Sequence, residues 1–252
     1  MGVKILEFES SLIKGKLVER YKRFMADIVL DNNQRITAHC PNTGAMRGLS
    51  APGLEVWVSR AKNKKRKLSY TLELVNDGTG LVGVNTHSAN KIVYEAINNN
   101  KIVSLRGYEK IKREVFSGKS SRIDIVLESP SLQPCFVEVK SVTMCNKKLA
   151  LFPDSVTARG AKHLRELSNQ VKIGNRGVIF YLVQRDSCDA FEVAADIDAQ
   201  YEEELIAAFK VGVEVLCYKC KISTNEIVVG PSLPTRFNGC EAGFYQNGNN
   251  RV

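Results

Sequence analysis

From Leu12 to Thr86 the apolar residues recur in short alternating runs broken by turn residues, the period of half-buried strands. Leu17 to Leu30 reads as a strand pair or one long bent strand. Asp31-Asn32-Asn33 is a turn, and Arg35 to His39 resumes a strand. Cys40-Pro-Asn-Thr-Gly-Ala-Met is a turn-rich loop. Leu54 to Ser59, Leu68 to Val75 and Leu81 to Val84 follow as strands. Five or so short strands in this span predict a small Greek-key barrel of the OB type. After Ser88 the period changes. Apolar residues at Ala89, Ile92, Val93, Ala96 and Ile97 make a helical stripe, capped by Ser88 or Asn90. A strand is predicted around Ile111 to Phe116, then two β-branched runs, Ser121 to Glu128 and Phe136 to Thr143, around a Ser/Pro turn. Met144 to Phe152 reads as a connecting loop. Pro153-Asp-Ser caps a helix to Val171, with Ala161, Leu164, Leu167 and Val171 inside and Arg159, Lys162, His163 and Arg165 outside. Gly177 to Val183 is a fully buried strand, Ile197 to Lys210 a last helix and Val213 to Ile222 a final strand. Helices on a sheet of mixed direction give a second domain. The predicted organisation is a two-domain chain: residues 1–86 a barrel, 87–236 a mixed-sheet domain, and 237–252 an Asn/Gly-rich tail expected to be disordered.

Composition adds a partner and a compartment. The 252 residues are 44% hydrophobic, enough for a sizeable core. The net charge of +9 favours an anionic partner such as nucleic acid. Seven scattered cysteines without a framework suit reduced thiols in a cytoplasmic protein. Cys217-x-x-Cys220 stands alone and falls on opposite faces of a strand, which argues against a zinc site. No long apolar run marks a membrane span or signal peptide. The lone Trp57 sits in a strand where core packing explains it, so a sugar-binding role has little support.

The candidate chemistry lies in the hairpin. Asp124 on its first strand is directly across from Glu138 on its second if the midpoint is Ser131, inside the turn. Ile123, Ile125 and Leu127 would face one side and Asp124 and Val126 the other, while Phe136, Glu138 and Lys140 share a face. Adjacent carboxylates repel and raise each other's pKa unless a cation lies between them. A hard divalent ion, Mg²⁺ or Mn²⁺, resolves the conflict. The predicted ligands are Asp124, Glu138 and the carbonyl of Val139, with Glu95 of the first helix joining through a water. Lys140 would position the attacking water or steady a phosphate oxygen. Against this stands the commoner case of Glu-x-Lys on a solvated sheet face. The basic run Lys62-Asn-Lys-Lys-Arg-Lys offers Lys64, Lys65, Arg66 and Lys67 to phosphate, or is a solvated hairpin tip. Arg20, Lys22 and Arg23 interleave with Tyr21 and Phe24, which suits backbone pairing and base stacking or a barrel strand. Arg122, Arg159, Lys162 and His163 are further candidates for the nucleic-acid backbone.

The order of elements with Asp, then Glu-x-Lys, resembles the PD-(D/E)XK nuclease superfamily. More closely, the chain resembles the sugar fermentation stimulation protein A family. The motifs carrying this are Arg20-Tyr-Lys-Arg-Phe, Cys40-Pro-Asn-Thr-Gly-Ala-Met, Lys65-Arg-Lys, Val84-Asn-Thr, Ala89-Asn, Ser121-Arg-Ile-Asp, Val137-Glu-Val-Lys-Ser-Val-Thr, Phe152-Pro-Asp and Arg159-Gly with Lys162-His-Leu-Arg-Glu-Leu. They span Leu12 to about Leu233. The resemblance implies an OB-like domain, a nuclease-like domain and DNA binding of little sequence specificity. A homodimer is one assembly the chain could take. Ile123 stands where the superfamily usually has proline, and the Asn/Gly-rich tail is extra. Two functions stay open: a Mg²⁺-dependent DNA phosphodiesterase, and a non-catalytic DNA-binding regulator of sugar (maltose) metabolism genes.

Overall fold

The structure, a computed structural model, describes residues 6–8, 10–63, 65–117, 121–237 and 240–242. It opens with a short strand, β1 (Leu6–Glu7), and the barrel follows: β2 (Ile13–Tyr21), β3 (Met25–Leu30), β4 (Arg35–His39), β5 (Glu55–Arg60), β6 (Tyr70–Asn76) and β7 (Leu81–Gly83). The pairing runs β4-β3-β2-β5-β6, and β4 closes onto β6 through Ala38–Tyr70 and His39–Thr71. Closure removes both sheet edges and makes the five-stranded OB barrel, with β7 added outside it. Leu17, Ile28, Val56, Val58 and Leu72 alternate into its core.

The second domain begins with α1 (Ala89–Asn98), β8 (Lys110–Ser117), β9 (Ser121–Ser129) and β10 (Leu132–Val142). Next come β11 (Met144–Asn146), β12 (Leu149–Phe152), α2 (Ala158–Lys172), β13 (Arg176–Val183), β14 (Ala190–Val193) and α3 (Ala199–Lys210). It finishes with β15 (Glu214–Ile222), β16 (Glu226–Ser232), β17 (Thr235–Phe237) and β18 (Cys240–Ala242). The main sheet has the order β1-β16-β15-β13-β10-β9-β8, with β10, β13 and β15 parallel and the flanks antiparallel. One face packs on α1 through Ile92, Val93, Val137, Val139 and Phe180. The other packs on α2 and α3 through Leu164, Leu167, Ile179, Tyr181 and Leu205. Cys220 lies in the first core and Cys217 in the second, so the predicted opposition of that pair holds.

Several boundaries differ from the sequence reading. The expected first domain, residues 1–86, gives up its opening strand, because β1 pairs with β16 of the main sheet. Met144 to Phe152 is a hairpin instead of a loop, and it founds a second sheet, β11-β12-β14-β17-β18. Helix α2 starts later than Pro153-Asp-Ser, with the Thr157 hydroxyl capping the Gly160 N–H at 3.0 Å. Val213 to Ile222 is not the final strand, and the expected disordered tail is too long at its start. Phe237 is buried and its strand pairs with Cys240–Ala242, while 238–239 and 243–252 lie outside the described residues. Among the described residues no helix is long and apolar enough to cross a membrane.

The two domains are fastened by buried contacts. The Gly83 N–H donates to the Gln184 carbonyl at 2.9 Å, and Val82 bridges to Arg185. Arg185 pairs with Asp77 and donates to the Thr143 carbonyl at 3.0 Å. Leu74 and Trp57 of the barrel pack into the α1 core.

Candidate functional site

The β9–β10 ladder ends at Ile125–Val137, one step before Asp124 and Glu138, which the register therefore sets opposite each other as the spacing implies. Beyond that point the strands fork. The alternation expected along β9 breaks here. Ile125 and Leu127 join the α1 core, but Ile123 joins Val126 in the core under α2 and α3. The break coincides with Glu114 on β8, whose φ of 51° is left-handed and whose neighbours Arg113 and Val115 take the pairs on either side. Freed from the ladder, Asp124 turns its Oδ2 to the Val139 N–H at 2.8 Å, and its Oδ1 accepts from Asn90 Nδ2 at 2.7 Å. Asp124 is thus held from the α1 side.

Glu138 is held from the other side. It is 2% exposed, and its Oε1 accepts from Lys140 Nζ at 2.8 Å and from His163 Nδ1. Arg159 Nε donates to His163 Nε2 at 3.3 Å. A guanidinium only donates, so Nε2 carries the lone pair and the proton sits on Nδ1, facing Glu138. Lys140 Nζ also stands 3.0 Å from His163 Nδ1; with Nδ1 a donor in that tautomer, the ammonium's hydrogen bond goes to Glu138. Gly160 makes the approach of α2 possible, since a Cβ there would lie 2.9 Å from a ring carbon of Tyr201 on α3. His163 follows it by three residues, on the same helix face.

The electrostatics divide the two carboxylates. Burial pushes Glu138 up, but the His163 hydrogen bond and the Lys140 charge outweigh it and hold it below the ordinary range. Burial and then the nearby Glu138 charge push Asp124 up to about 6, against its bonds from Val139 and Asn90. Glu138 Oε2 is buried and has no hydrogen-bond partner. A buried charged oxygen left alone is costly, and it is the atom a cation would satisfy.

These shifts predict a pH dependence. The folded-state value of Asp124 lies above its unfolded one, so the protonated group stabilises the fold at low pH and that contribution is lost as pH rises through about 6. The difference amounts to about 3 kcal/mol. Urea denaturation between pH 4.5 and 8 in EDTA should show the decline, and Asp124→Asn should flatten it. An unchanged slope in the variant would exclude Asp124 as its source.

The structure sorts the remaining expected residues. Among the described residues no three His, Cys, Asp or Glu side chains gather as a metal cluster, so Glu95 does not form one with Asp124 and Glu138, and its Oε2 is buried without a hydrogen-bond partner. Asn90 is the α1 residue that reaches Asp124. It lies five residues before Glu95, about 140° around the helix. His163 is not an exposed phosphate contact, being 7% exposed and bound to Glu138. Arg20 is also committed elsewhere: its Nη2 donates to the carbonyls of Arg23, Asn42 and Gly44 at 2.8, 2.8 and 3.0 Å. Lys22 and Arg23 are exposed at the β2–β3 turn, with φ of 48° and 64°. Lys65, Arg66 and Lys67 are exposed, and Lys64 lies outside the described residues. Arg122 stacks over Phe116 at 4.4 Å and pairs with Glu114 at 3.4 Å. Arg159 is exposed beside His163, and Lys162 pairs with Glu166 at 3.7 Å.

Comparison with known proteins agrees along most of the chain. A family model described as the SfsA N-terminal OB domain matches residues 18–84, and one described as the sugar fermentation stimulation protein RE domain matches residues 87–226. A sugar fermentation stimulation protein homolog of Nitrosococcus oceani is 52% identical over 232 residues, covering 91% of this chain and 99% of that protein. One from Maricaulis maris is 48% identical over 225 residues, covering 89% and 96%. The structure of Pyrococcus furiosus SfsA in complex with Ca²⁺ superposes with a TM-score of 0.84 at 24% identity, covering 94% of this chain and all of that one.

Proposed function

The chain belongs to the sugar fermentation stimulation protein family, and on that premise we propose that it binds DNA with little sequence preference and carries a divalent-metal phosphodiesterase site at Asp124 and Glu138. The observation that carries this reading is the buried, unpartnered Glu138 Oε2 beside a carboxyl raised by burial and then by the Glu138 charge. Mg²⁺ and Mn²⁺ fit that donor set. Mg²⁺ is commonly held by one or two carboxylates and keeps several waters, so a third carboxylate is not required. The Ca²⁺ in the Pyrococcus furiosus relative is an ion of the same oxygen-seeking class.

Asp124, Glu138 Oε2 and the Val139 carbonyl would hold the ion. When bound, it would polarise a scissile phosphate and lower the pKa of a water. The protein's own groups set the rest. His163 and Lys140 keep Glu138 ionised at the fork, so the site is ready for a cation at neutral pH. Lys140, 11% exposed in its side chain and paired with Glu138, would neutralise charge developing on a phosphate held at the ion. Asn90 and the Val139 N–H fix the Asp124 rotamer. Exposed Lys65, Arg66, Lys67, Arg122 and Arg159 supply phosphate contacts, which position a strand without reading its sequence.

A DNA-binding regulator that cuts nothing is the second reading, favoured by the net charge alone. Two measurements separate them. Binding to random duplex should weaken with salt at a slope of about −4 to −5 in log K against log salt, for roughly five neutralised phosphates. End-labelled single-stranded, duplex and branched DNA should be cleaved only with Mg²⁺ or Mn²⁺. Salt-sensitive binding without metal-dependent cleavage would leave the regulator; a flat salt dependence would remove both.

A further inference from the structure

We propose that the cavity between the barrel and the start of α1 seats one nucleoside phosphate unit and favours a base bearing an amino group. The inference rests on the nucleic-acid reading above and gives it a location. The cavity measures about 630 Å³, the size of a small-ligand site. Its wall carries Arg60 and Arg66 from the β5–β6 region and Lys91 from α1, all exposed, with Arg66 Nη1 donating to Thr71 Oγ1 at 3.2 Å. These cations come from both domains and face one space. His39 and His87 lie among them, and burial, then the Arg66 and His87 charges, hold His39 below the ordinary histidine range. It therefore offers a neutral ring.

The floor differs from the rim. Glu73 is 8% exposed, with Oε1 accepting from Ser59 Oγ at 2.6 Å and Oε2 from Asn85 Nδ2 at 2.8 Å. A carboxylate oxygen has a second lone pair, so both can still accept. A carboxylate under a cationic rim is poor design for inorganic phosphate alone. It suits a ligand that is anionic at one end and donates N–H at the other. A nucleotide with cytosine or adenine does both, since acidic side chains accept from exocyclic amines. Thymine lacks that amine and offers only its single ring N3–H. Phe8 and Pro41 supply apolar surface. The position also matters. Ser88 and Lys91 line the cavity, and Asn90 between them bonds Asp124. One turn of α1 thus links the seat to the proposed cleavage site.

The test uses the full chain in EDTA, so that no step depends on a metal. The probes are dCMP and dTMP by calorimetry, and labelled oligo(dC) and oligo(dT) by anisotropy. Oligo(dC) should bind about tenfold tighter than oligo(dT). Arg66→Ala/Lys91→Ala should lower the steepness of the salt slope by about 0.7, the value for the one single-strand phosphate the seat holds. Lys172→Ala/Lys210→Ala, at the far ends of α2 and α3, should leave it unchanged. Saturable dCMP binding lost in the Arg66/Lys91 variant supports the seat for a free nucleotide, and an effect on the oligonucleotide alone supports it for a strand. Equal affinity for both bases, or identical binding by the Arg66/Lys91 variant and the parent, overturns the proposal. Because no metal is present in the assay, failure of the metal site cannot imitate failure of the seat.

Discussion

Lys140→Ala is expected to lower metal-dependent DNA cleavage by about 10²–10³-fold, the loss typical when a preorganised positive group is removed from a developing charge. It should do so without preventing metal binding, because Lys140 donates to Glu138 Oε1 while the unpartnered Oε2 is left unchanged. His163→Ala should behave differently. His163 is foremost among the groups that hold Glu138 below the ordinary range against burial. Without it the carboxyl should protonate at higher pH, and metal affinity at neutral pH should weaken. Comparing single-turnover cleavage with the metal-induced rise in thermal midpoint separates these roles. Equal damage to both quantities in the Lys140 variant would contradict its assignment.

Arg185→Ala is expected to destabilise the protein by about 3–5 kcal/mol, as breaking a buried ion pair from one side does. The Arg185 side chain is 4% exposed, and each of its three nitrogens donates a hydrogen bond. Nη2 meets Asp77 and Thr79, Nη1 the Thr143 carbonyl, and Nε the Ser187 hydroxyl. Truncation removes the charge that faces Asp77, whose Oδ1 keeps its bonds from Thr79, and takes the Nη1 donor from the Thr143 carbonyl. Arg185→Lys should recover little, since an ammonium cannot reproduce that fork of donors. The pair joins the barrel to the main sheet, so urea unfolding should change from one transition toward two. A loss below about 1 kcal/mol would mean that the pair is not what fastens the domains.

What the sequence revealed depended on period and distance. Alternating runs located the barrel strands, and the Ser/Pro turn placed Asp124 opposite Glu138 with the register the structure has. Strands of three or four residues, β11, β14 and β17, are too short to show a period, so a whole second sheet stayed hidden. The face switch at Ile123 was invisible because it comes from the fork and from Glu114, not from β9 itself. His163 reads as outward-facing from its polarity, although it stands four residues before Leu167 and three after Gly160, on the buried stripe. Asn90 was seen only as a cap. Its contact with Asp124 depends on how α1 packs across the sheet, which no local spacing encodes.

Titration of the metal-free protein with Mn²⁺ tests the central claim most directly, by calorimetry and by thermal midpoint, in the wild type and in Glu138→Ala. The wild type should bind one ion, and at about 100-fold excess over Kd its stability should rise by roughly 2.7 kcal/mol. Binding below pH 6 should release a proton, because Asp124 is raised to about 6 and must ionise to become a ligand. Glu138→Ala should show neither saturable binding nor the thermal rise. A wild type indifferent to millimolar Mn²⁺, or a Glu138→Ala protein that binds it equally well, would contradict the account.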